Sequence, residues 1–365
     1  MIKYPMVRLE DVCDKATSSI AQKDLKNLEG IYPIYGASGF IKNINFYKQD
    51  REYIAIVKDG AGIGRAMILP AFSSVIGTMQ YILPKDNIIT KYLYFAIDSM
   101  NLAKYFTGAT IPHIYFKDYK NEFLPLPPIE NQRSIIKILE SIVSLIIKRK
   151  QQLSEFDELA KSRFLEMFGD PILNPMGWAI SHYGDEFEIM SGGTPKTDIP
   201  EYWVNGKISW IGSNLCQNSV LIENDGKFIT EKGLNNSSAK IFNKGYILIA
   251  LVGATIGKVA HLKFSTSTNQ NIAGINVPQN ENYIPEFVFY NTQFLYPKFM
   301  DIGNSKFKMA NLSFIRSLQI PIVPIKAQKK FSNFVEQLDK SKFRIKKSLE
   351  KLEMTYKALL QEYFG

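Results

Sequence analysis

The stretch Leu124–Gln132, with the sequence LPLPPIENQ, decides the organisation of this chain because it occurs twice. Its second copy, IPIVPIKAQ at Ile320–Gln328, lies 196 residues downstream and keeps two prolines, an isoleucine and a glutamine. Each copy leads into about 40 residues without proline or glycine, and these stretches end at Phe168-Gly169 and Phe364-Gly365. A repeat of this length predicts two globular units, each followed by one long helix.

Both predicted helices carry apolar residues at alternating spacings of four and three, which is typical of two helices that supercoil. A chain that returns through a whole globular unit can pair them antiparallel, with the units at opposite ends and an approximate two-fold axis between them. The alternative is that each helix packs only on its own globular unit. The predicted helix–helix seam consists of Ile135, Leu139, Ile142, Ile146, Leu153, Phe156, Phe331, Val335, Leu338, Ile345, Leu349 and Leu352.

The globular units share a weaker framework upstream of the helices. Gly60–Arg65 resembles Gly253–Lys258, each after a strand-like run, and Gln80 and Gln270 follow at comparable distances. Both units alternate short β-rich runs with Gly, Asn and Ser turns and contain one main helical stretch. We predict an α+β fold in which two units, each a curved β-sheet plus helices, are separated by two long helices that form an antiparallel coiled coil. The predicted domains are 1–128, 129–169, 170–324 and 325–365.

Composition excludes several classes of protein. An apolar content of 45% excludes a disordered or collagen-like chain. The sequence contains no run of ~18 apolar residues, so no membrane span is predicted. The N-terminus lacks the apolar core of a signal peptide, and two distant cysteines, Cys13 and Cys216, predict a reducing, cytoplasmic location. The dispersed His113, His182 and His261 show no metal-ligand spacing, so we expect no metal site. The net charge of +9 is compatible with a nucleic-acid partner but is weak evidence alone.

Sequence motifs of catalysis are missing. No Asn-Pro-Pro-aromatic tetrapeptide of adenine methyltransferases occurs, and Gly60, Gly62 and Gly64 lack the spacing of a dinucleotide-binding loop. A Walker lysine, a His-Glu-x-x-His pair and a nucleophile-elbow serine are also missing. We therefore predict a chain that binds a partner and is not itself an enzyme.

Taken together, the motifs resemble the specificity subunit of type I restriction–modification systems, and the likeness covers essentially the whole chain. The repeated proline–glutamine stretch looks like that family's junction into its spacer helices. The other resembling segments look like the loops and the central strand–turn–strand of its target-recognition domains. These segments are Tyr35–Phe40, Ser191–Pro195, Tyr202-Trp203, Trp210-Ile211 and Gly253–Lys258 with Gln270.

The resemblance implies that 1–128 and 170–324 are target-recognition domains that each read one half of a split DNA site. Because the two units differ so much in sequence, we predict that this site is asymmetric. It further implies that the helices set the gap and dock two methyltransferase subunits, which bind S-adenosylmethionine and methylate adenine. Up to two restriction subunits that use ATP and Mg²⁺ are also implied, and no cofactor is expected in this chain. The alternatives are a DNA-recognition subunit for a fused type II restriction-methylation enzyme, a coiled-coil scaffold that binds protein, and an enzyme with an unrecognised motif.

Candidate DNA contacts come from loops rich in polar residues. Amide side chains pair with adenine, Arg and Lys pair with guanine or phosphate, and glycine lets a phosphate approach the backbone. The same residue types also fill ordinary turns. Segments 108–114 and 306–310 are predicted to be equivalent recognition-edge loops. The predicted DNA-binding residues are Ser38, Lys58, Arg65, Gln80, His113, Ser191, Gly193, Thr194, Lys196, Trp210, Asn214, Lys258, Asn269 and Gln270.

Overall fold

The computed structural model describes residues 4–108, 112–278, 282–302 and 309–365. The chain divides into two compact units, of which unit 1 comprises Met1–Gln151 with Lys346–Gly365, and unit 2 comprises Gln152–Ile345. In unit 1 the strands are β1 (Met6–Arg8), β2 (Cys13–Thr17), β3 (Tyr32–Gly36), β4 (Gly39–Ile44), β5 (Tyr53–Val57), β6 (Ala66–Leu69), β7 (Ser74–Val75), β8 (Met79–Pro84) and β9 (Phe123–Pro125), and the helices are α1 (Leu9–Val12), α2 (Thr90–Ser99), α3 (Phe116–Tyr119) and the first part of α4 (Ile129–Phe168).

Unit 2 contains the second part of α4 and most of the remaining elements. Its strands are β10 (Ile180–His182), β11 (Glu188–Ser191), β12 (Ile208–Ile211), β13 (Ser219–Leu221), β14 (Phe228–Ile229), β15 (Ile241–Phe242), β16 (Ile247–Ala250), β17 (Val259–Leu262), β18 (Thr266–Thr268), β19 (Ile272–Asn276) and β20 (Gln319–Pro321), and its helices are α5 (Tyr183–Glu186), α6 (Glu231–Asn235), α7 (Pro285–Phe294), α8 (Tyr296–Met300), α9 (Leu312–Ser317) and the first part of α10 (Ile325–Phe364).

The main sheets of the two units have the same strand order. Unit 1 has β2-β8-β5-β6, and unit 2 has β11-β19-β16-β17 followed by β13. In both units the strand before the long helix pairs antiparallel with the first strand of the unit, as Met6↔Pro125 and Ile180↔Pro321. The second sheets differ, because unit 1 has β4-β3-β7 and unit 2 has β14-β12-β18-β15. The predicted α+β fold with an internal repeat and two long helices is confirmed.

The central strands are buried on both faces of the main sheet. Every residue of β5 is buried, and alternate side chains enter different clusters, as the two-residue period of a strand requires. Ile54 and Ile56 pack with the apolar face of α2, whereas Tyr53 and Ala55 pack with Tyr81 on the opposite face. This layering covers the central strand β5 on both faces, whereas the edge strand β2 and the loops at the strand ends remain accessible.

The long helices α4 and α10 have 40 residues each and pair antiparallel within both units. In unit 1 the Lys150 ammonium lies 2.9 Å from the Glu353 carboxylate, and in unit 2 the Lys342 ammonium lies 2.6 Å from Asp157. No helix in the described part of the chain is long and apolar enough to cross a membrane.

The predicted seam residues are buried to different extents along the helices. Ile135, Leu139, Phe331, Val335 and Leu338 are buried within the cores of the units. The other seam residues are half-buried. The helices therefore pack on each other and also on the globular parts, so the two packing hypotheses describe different stretches of the same helices. The other half-buried seam residues are Ile142, Ile146, Leu153, Phe156, Ile345, Leu349 and Leu352.

A fully buried glutamine joins each long helix to the rest of its unit. Gln132 Oε1 accepts a hydrogen bond from Ile89 N at 2.9 Å, and its Nε2 donates to the carbonyls of Asn87 (3.1 Å) and Pro127 (2.9 Å). The same network recurs at Gln328 in unit 2. There the partners are Ile284 N at 3.0 Å and the carbonyls of Asn282 and Val323, both at 2.8 Å.

Replacement of Gln328 by Ala should lower the free energy of unfolding by roughly 3 kcal/mol, because buried backbone groups would lose their partners. Gln337→Ala is the matched control, since Gln337 is exposed on the same helix. Urea denaturation followed by circular dichroism measures both values. Equal midpoints for the two variants would show that the junction does not depend on this amide.

Unit 2 contains a buried histidine where unit 1 has an aliphatic side chain. His261 on β17 occupies the position of Ile68 on β6 and is 2% exposed. Burial, assisted by the nearby Lys263, lowers its pKa to about 4, against the opposing effect of Glu286. The folded chain therefore keeps this imidazole neutral at pH values at which the unfolded chain protonates it.

The protein should lose stability as the pH falls from 7 to 5. The unfolded chain takes up a proton at His261 below about pH 6.5, whereas the folded chain does so only near pH 4. This difference corresponds to roughly 2 kcal/mol of unfolding free energy at pH 5. His261→Ile, which copies unit 1, should remove that loss, and His182→Gln at a half-exposed position should not. Denaturant titrations at both pH values test this, and an unchanged pH dependence in His261→Ile would contradict it.

Candidate nucleic-acid interface

The loops Gly60–Arg65 and Gly253–Lys258 adopt the same hydrogen-bonded turn between corresponding strands. In each loop the glycine before the cation donates to the carbonyl of the last strand residue, whose own N–H donates to the carbonyl of the cationic residue. The bonds are Gly64 N to Val57 O (2.8 Å), Val57 N to Arg65 O (2.9 Å), Gly257 N to Ala250 O (2.9 Å) and Ala250 N to Lys258 O (3.0 Å). The resemblance predicted between these loops is therefore reproduced in three dimensions, and Arg65 corresponds to Lys258.

Glycine is required at the end of this turn for two reasons. Gly64 and Gly257 have φ values of +80° and +74°, a region that side-chain-bearing residues rarely adopt. A Cβ at Gly64 would lie 2.6 Å from Ala103 N, and a Cβ at Gly257 would lie 2.7 Å from the Phe299 ring. The turn consequently holds the adjacent cation at a defined position on the surface.

In unit 1 this cation is tied to the β3–β4 turn. The Arg65 guanidinium donates to the carbonyl of Ala37, and the neighbouring Ser38 is exposed. Arg65 itself is exposed, so part of its charge faces solvent. The structure therefore brings the predicted residues Ser38 and Arg65 to one surface.

Lys58, Asp59 and His113 form a second polar group at the base of the same loop. His113 Nδ1 lies 2.7 Å from Asp59 Oδ1, and Lys58 Nζ lies 3.8 Å from Asp59 Oδ2. The His113 ring stacks on Tyr115 with a centroid distance of 6.4 Å. Asp59 was not predicted from the sequence, although its position between Lys58 and the glycine loop was a usable signal.

The described residues of the recognition-edge segments 108–114 and 306–310 form equivalent contacts with the first residues after β5 and β16. Ile114 N donates to Lys58 O and Ala310 N donates to Leu251 O, both at 2.9 Å. Isolated antiparallel β-bridges pair Asp59 with His113 and Val252 with Met309. Residues 109–111 and 303–308 lie outside the described residues, so the remainder of both predicted loops stays a prediction.

In unit 2 a group of amide and hydroxyl side chains lies at the ends of β11, β12 and β18. Thr194 Oγ1 donates to Gln270 Oε1 at 2.5 Å, and Asn269 N donates to Ile211 O at 3.1 Å. Gln270 is exposed and Asn269 is half-buried. Three segments that are distant in sequence therefore present polar groups at one edge.

Lys258 joins this edge through a residue that sequence reasoning missed. Its Nζ donates to Gln217 Oε1 at 2.9 Å, and Gln217 Nε2 donates in turn to the carbonyl of Asn214 at 3.0 Å. Gln217 and Asn214 are exposed. The proximity of Gln217 to the predicted Trp210–Asn214 loop was the only sequence signal for it.

Ser191 and Lys196 lie on either side of the glycine pair in this region. Ser191 is half-buried at the end of β11, where it pairs with Ala273. Lys196 is exposed, and its carbonyl accepts a hydrogen bond from Trp203 Nε1 at 3.0 Å. The Lys196 side chain is therefore accessible to a partner.

Gln80 is not available for a DNA contact, which corrects the prediction. Its side chain is 3% exposed, and its Oε1 accepts from the buried Tyr119 hydroxyl at 3.1 Å. Strand pairing also shows that Gln80 corresponds to Ala273 and not to Gln270. Gln80 pairs with Ile56 on β5, and Ala273 pairs with Ile249, which holds the same position on the equivalent strand β16.

Trp210 and Gly193 are likewise structural residues, which corrects two further predictions. Trp210 is 8% exposed, packs edge-on against Trp203 at 5.2 Å, and donates from Nε1 to the Gly193 carbonyl at 3.1 Å. Gly193 is buried against Ser238, whose carbonyl carbon would lie 2.4 Å from a Cβ. Both residues hold the loop that carries Thr194.

Both cysteines of the chain are buried. Burial raises the pKa of the Cys13 and Cys216 thiols to about 12, which keeps both protonated and unreactive. No group of three or more His, Cys, Asp or Glu side chains that could hold a metal ion occurs in the described part of the chain. The accessible side chains of these loops include cations, amides and hydroxyls, which are groups that contact phosphates and base edges.

Comparisons with known proteins identify the family. The family model of the type I restriction modification DNA specificity domain matches residues 1–155 and 175–354. The MjaIX specificity subunit of Methanocaldococcus jannaschii is 24% identical, over 93% of this chain and 84% of its own length. The EcoR124I/EcoR124II specificity subunit of Escherichia coli is 23% identical, over 56% of this chain and 51% of its own length.

The fold is similar to a solved structure of the same class. The S subunit of a type I restriction-modification system from M. genitalium covers 100% of this chain and 96% of its own, with a TM-score of 0.55 and 19% identity. A chain from a structure of an assembled type I restriction–modification system gives a TM-score of 0.56 at 15% identity. Because the family model matches both repeats, the chain belongs to the type I restriction–modification DNA specificity family.

Proposed function

We propose that this chain recognises an asymmetric, bipartite DNA site, with one half-site read by each unit. The observation that carries this proposal is the repeated loop that presents Arg65 in unit 1 and Lys258 in unit 2 on otherwise different surfaces. A cation at the same place in both units supports equivalent phosphate contacts. Different neighbouring side chains support two different half-site sequences, and hence a site that is not a palindrome.

The cations and the amides have different proposed roles. Lys58, Arg65, Lys196 and Lys258 attract and position the phosphate backbone, which carries no sequence information directly. Asn214, Asn269 and Gln270 present amide groups that match the donor and acceptor pattern of base edges.

We further propose that catalysis resides in partner subunits. Two methyltransferase subunits that bind S-adenosylmethionine dock on the exposed faces of α4 and α10, and up to two restriction subunits that use ATP and Mg²⁺ complete the complex. The buried, protonated thiols support a non-catalytic role for this chain and agree with a reducing, cytoplasmic location. Both helices contribute residues to both units, which supports their role in setting the gap between half-sites.

Lys58→Ala should weaken binding to all DNA sequences to a similar degree and lower the salt dependence by about one phosphate contact. Gln270→Ala should instead relax the preference at one base pair, by about 1–3 kcal/mol of discrimination. Competition binding of the reconstituted complex to a library of single-base variants measures both. Lys244→Ala, which removes an exposed lysine before β16, at the end of that strand away from the Gly253–Lys258 loop, is the control for loss of charge. If Gln270→Ala instead weakened binding to all sequences equally, its role in base reading would be contradicted.

The decisive experiment is a map of methyladenine across the genome of an unmethylated host. The host expresses a candidate methyltransferase subunit with or without this chain. A split motif with a fixed gap that appears only in the presence of the chain is the expected result. Identical methylation without the chain would overturn the specificity role and favour a protein-binding scaffold, and no methylation with any tested partner would favour a fused restriction-methylation enzyme.

A further inference from the structure

The same edge position in the two units carries opposite chemistry. Asp59 and His113 form a β-bridge in unit 1, and Val252 and Met309 form the corresponding bridge in unit 2. The equivalence does not depend on sequence alignment, because the adjacent hydrogen bonds from Ile114 and Ala310 to the loop bases are the same. A polar pair therefore occupies the place of an apolar pair.

Both pairs are accessible at the edge that carries the repeated cation. The His113 side chain is 38% exposed and Met309 is 69% exposed. Val252 is half-buried and packs against the core of unit 2, so it supports the backbone from which Met309 projects. Lys258 lies on the same short loop as Val252, as Arg65 lies on the same loop as Asp59.

The comparison of the two repeats separates shared features from discriminating ones. The glycine turn and its cation are common to both units and suit the phosphate backbone, which is common to all DNA. The bridge pair changes from hydrogen-bonding in unit 1 to apolar in unit 2 and is accessible through His113 and Met309, so it suits a part of DNA that changes with sequence. In the major groove the apolar feature that distinguishes one base from the others is the 5-methyl group of thymine.

We propose that Met309, supported by Val252, contacts the 5-methyl group of a thymine in the half-site read by unit 2. His113 occupies the equivalent place in unit 1 and forms a hydrogen bond to a base edge. Its Nδ1 lies 2.7 Å from the Asp59 carboxylate, which favours the tautomer with the proton on Nδ1, and in that neutral tautomer Nε2 is a hydrogen-bond acceptor. An acceptor at this position selects an exocyclic amino group, as on adenine or cytosine. This inference rests on the proposed function and names base contacts within it.

The test replaces thymine by uracil, which differs only by the loss of the 5-methyl group. Each thymine of both strands in the mapped site is replaced in turn, and binding of the reconstituted complex with its methyltransferase is measured by competition. The half-site of unit 2 is identified as the one whose preference changes in Gln270→Ala. One thymine in that half-site should show about fourfold weaker binding as uracil, the effect expected for one buried methyl group.

Met309→Ala should bind the thymine and uracil sites with affinities that agree within about twofold, since the contact that distinguishes them is removed. Met176→Ala, which truncates an exposed methionine between α4 and β10, should keep the fourfold difference. Full uracil sensitivity in Met309→Ala would overturn the proposal, as would a unit 2 half-site without a uracil-sensitive thymine. The absence of any bipartite motif would instead overturn the proposed function itself, so the two failures are distinguishable.

Discussion

The buried glutamine at the start of each long helix is the contact on which both units depend. Gln132 and Gln328 each join the first turn of a long helix to the backbone at the start of α2 or α7 and to the segment that follows β9 or β20. These backbone groups lie in the interior, where a missing partner costs more free energy than a hydrogen bond contributes at the surface. A single side chain of fixed length therefore sets where the helix starts relative to the sheet.

This junction explains why the repeat is strict at the helices and loose elsewhere. The glutamine requires a fixed distance between the end of β9 or β20 and the first helical turn, so no insertion is tolerated there. The loops that carry Ser38 or Asn214 are joined to the sheet by hydrogen bonds of exposed or half-buried side chains, where a lost partner costs less free energy than in the interior. Sequence change is therefore concentrated at the strand ends, which is where a protein that distinguishes targets requires variety.

The two units also use buried polarity differently, although their main sheets share one strand order. Unit 2 keeps the neutral His261 near Lys263 and Glu286, whereas unit 1 has Ile68 at the matching position. The cost of burying the imidazole falls on unit 2 alone. A shared topology thus permits different stabilities and different surfaces in one chain.

The sequence by itself determined the repeat, the long helices, the α+β class and the glycine turns. These features depend on local periodicity and on identities such as Gln132, Gln328 and the repeated glycines, all of which can be read along the chain. The tertiary structure alone decided which polar residues reach the surface. Gln80 and Trp210 carry suitable side chains but are buried, because strand register and neighbouring loops cover them. The Asp59–His113 and Val252–Met309 pairs join residues more than 50 positions apart, and only the folded sheet brings them together.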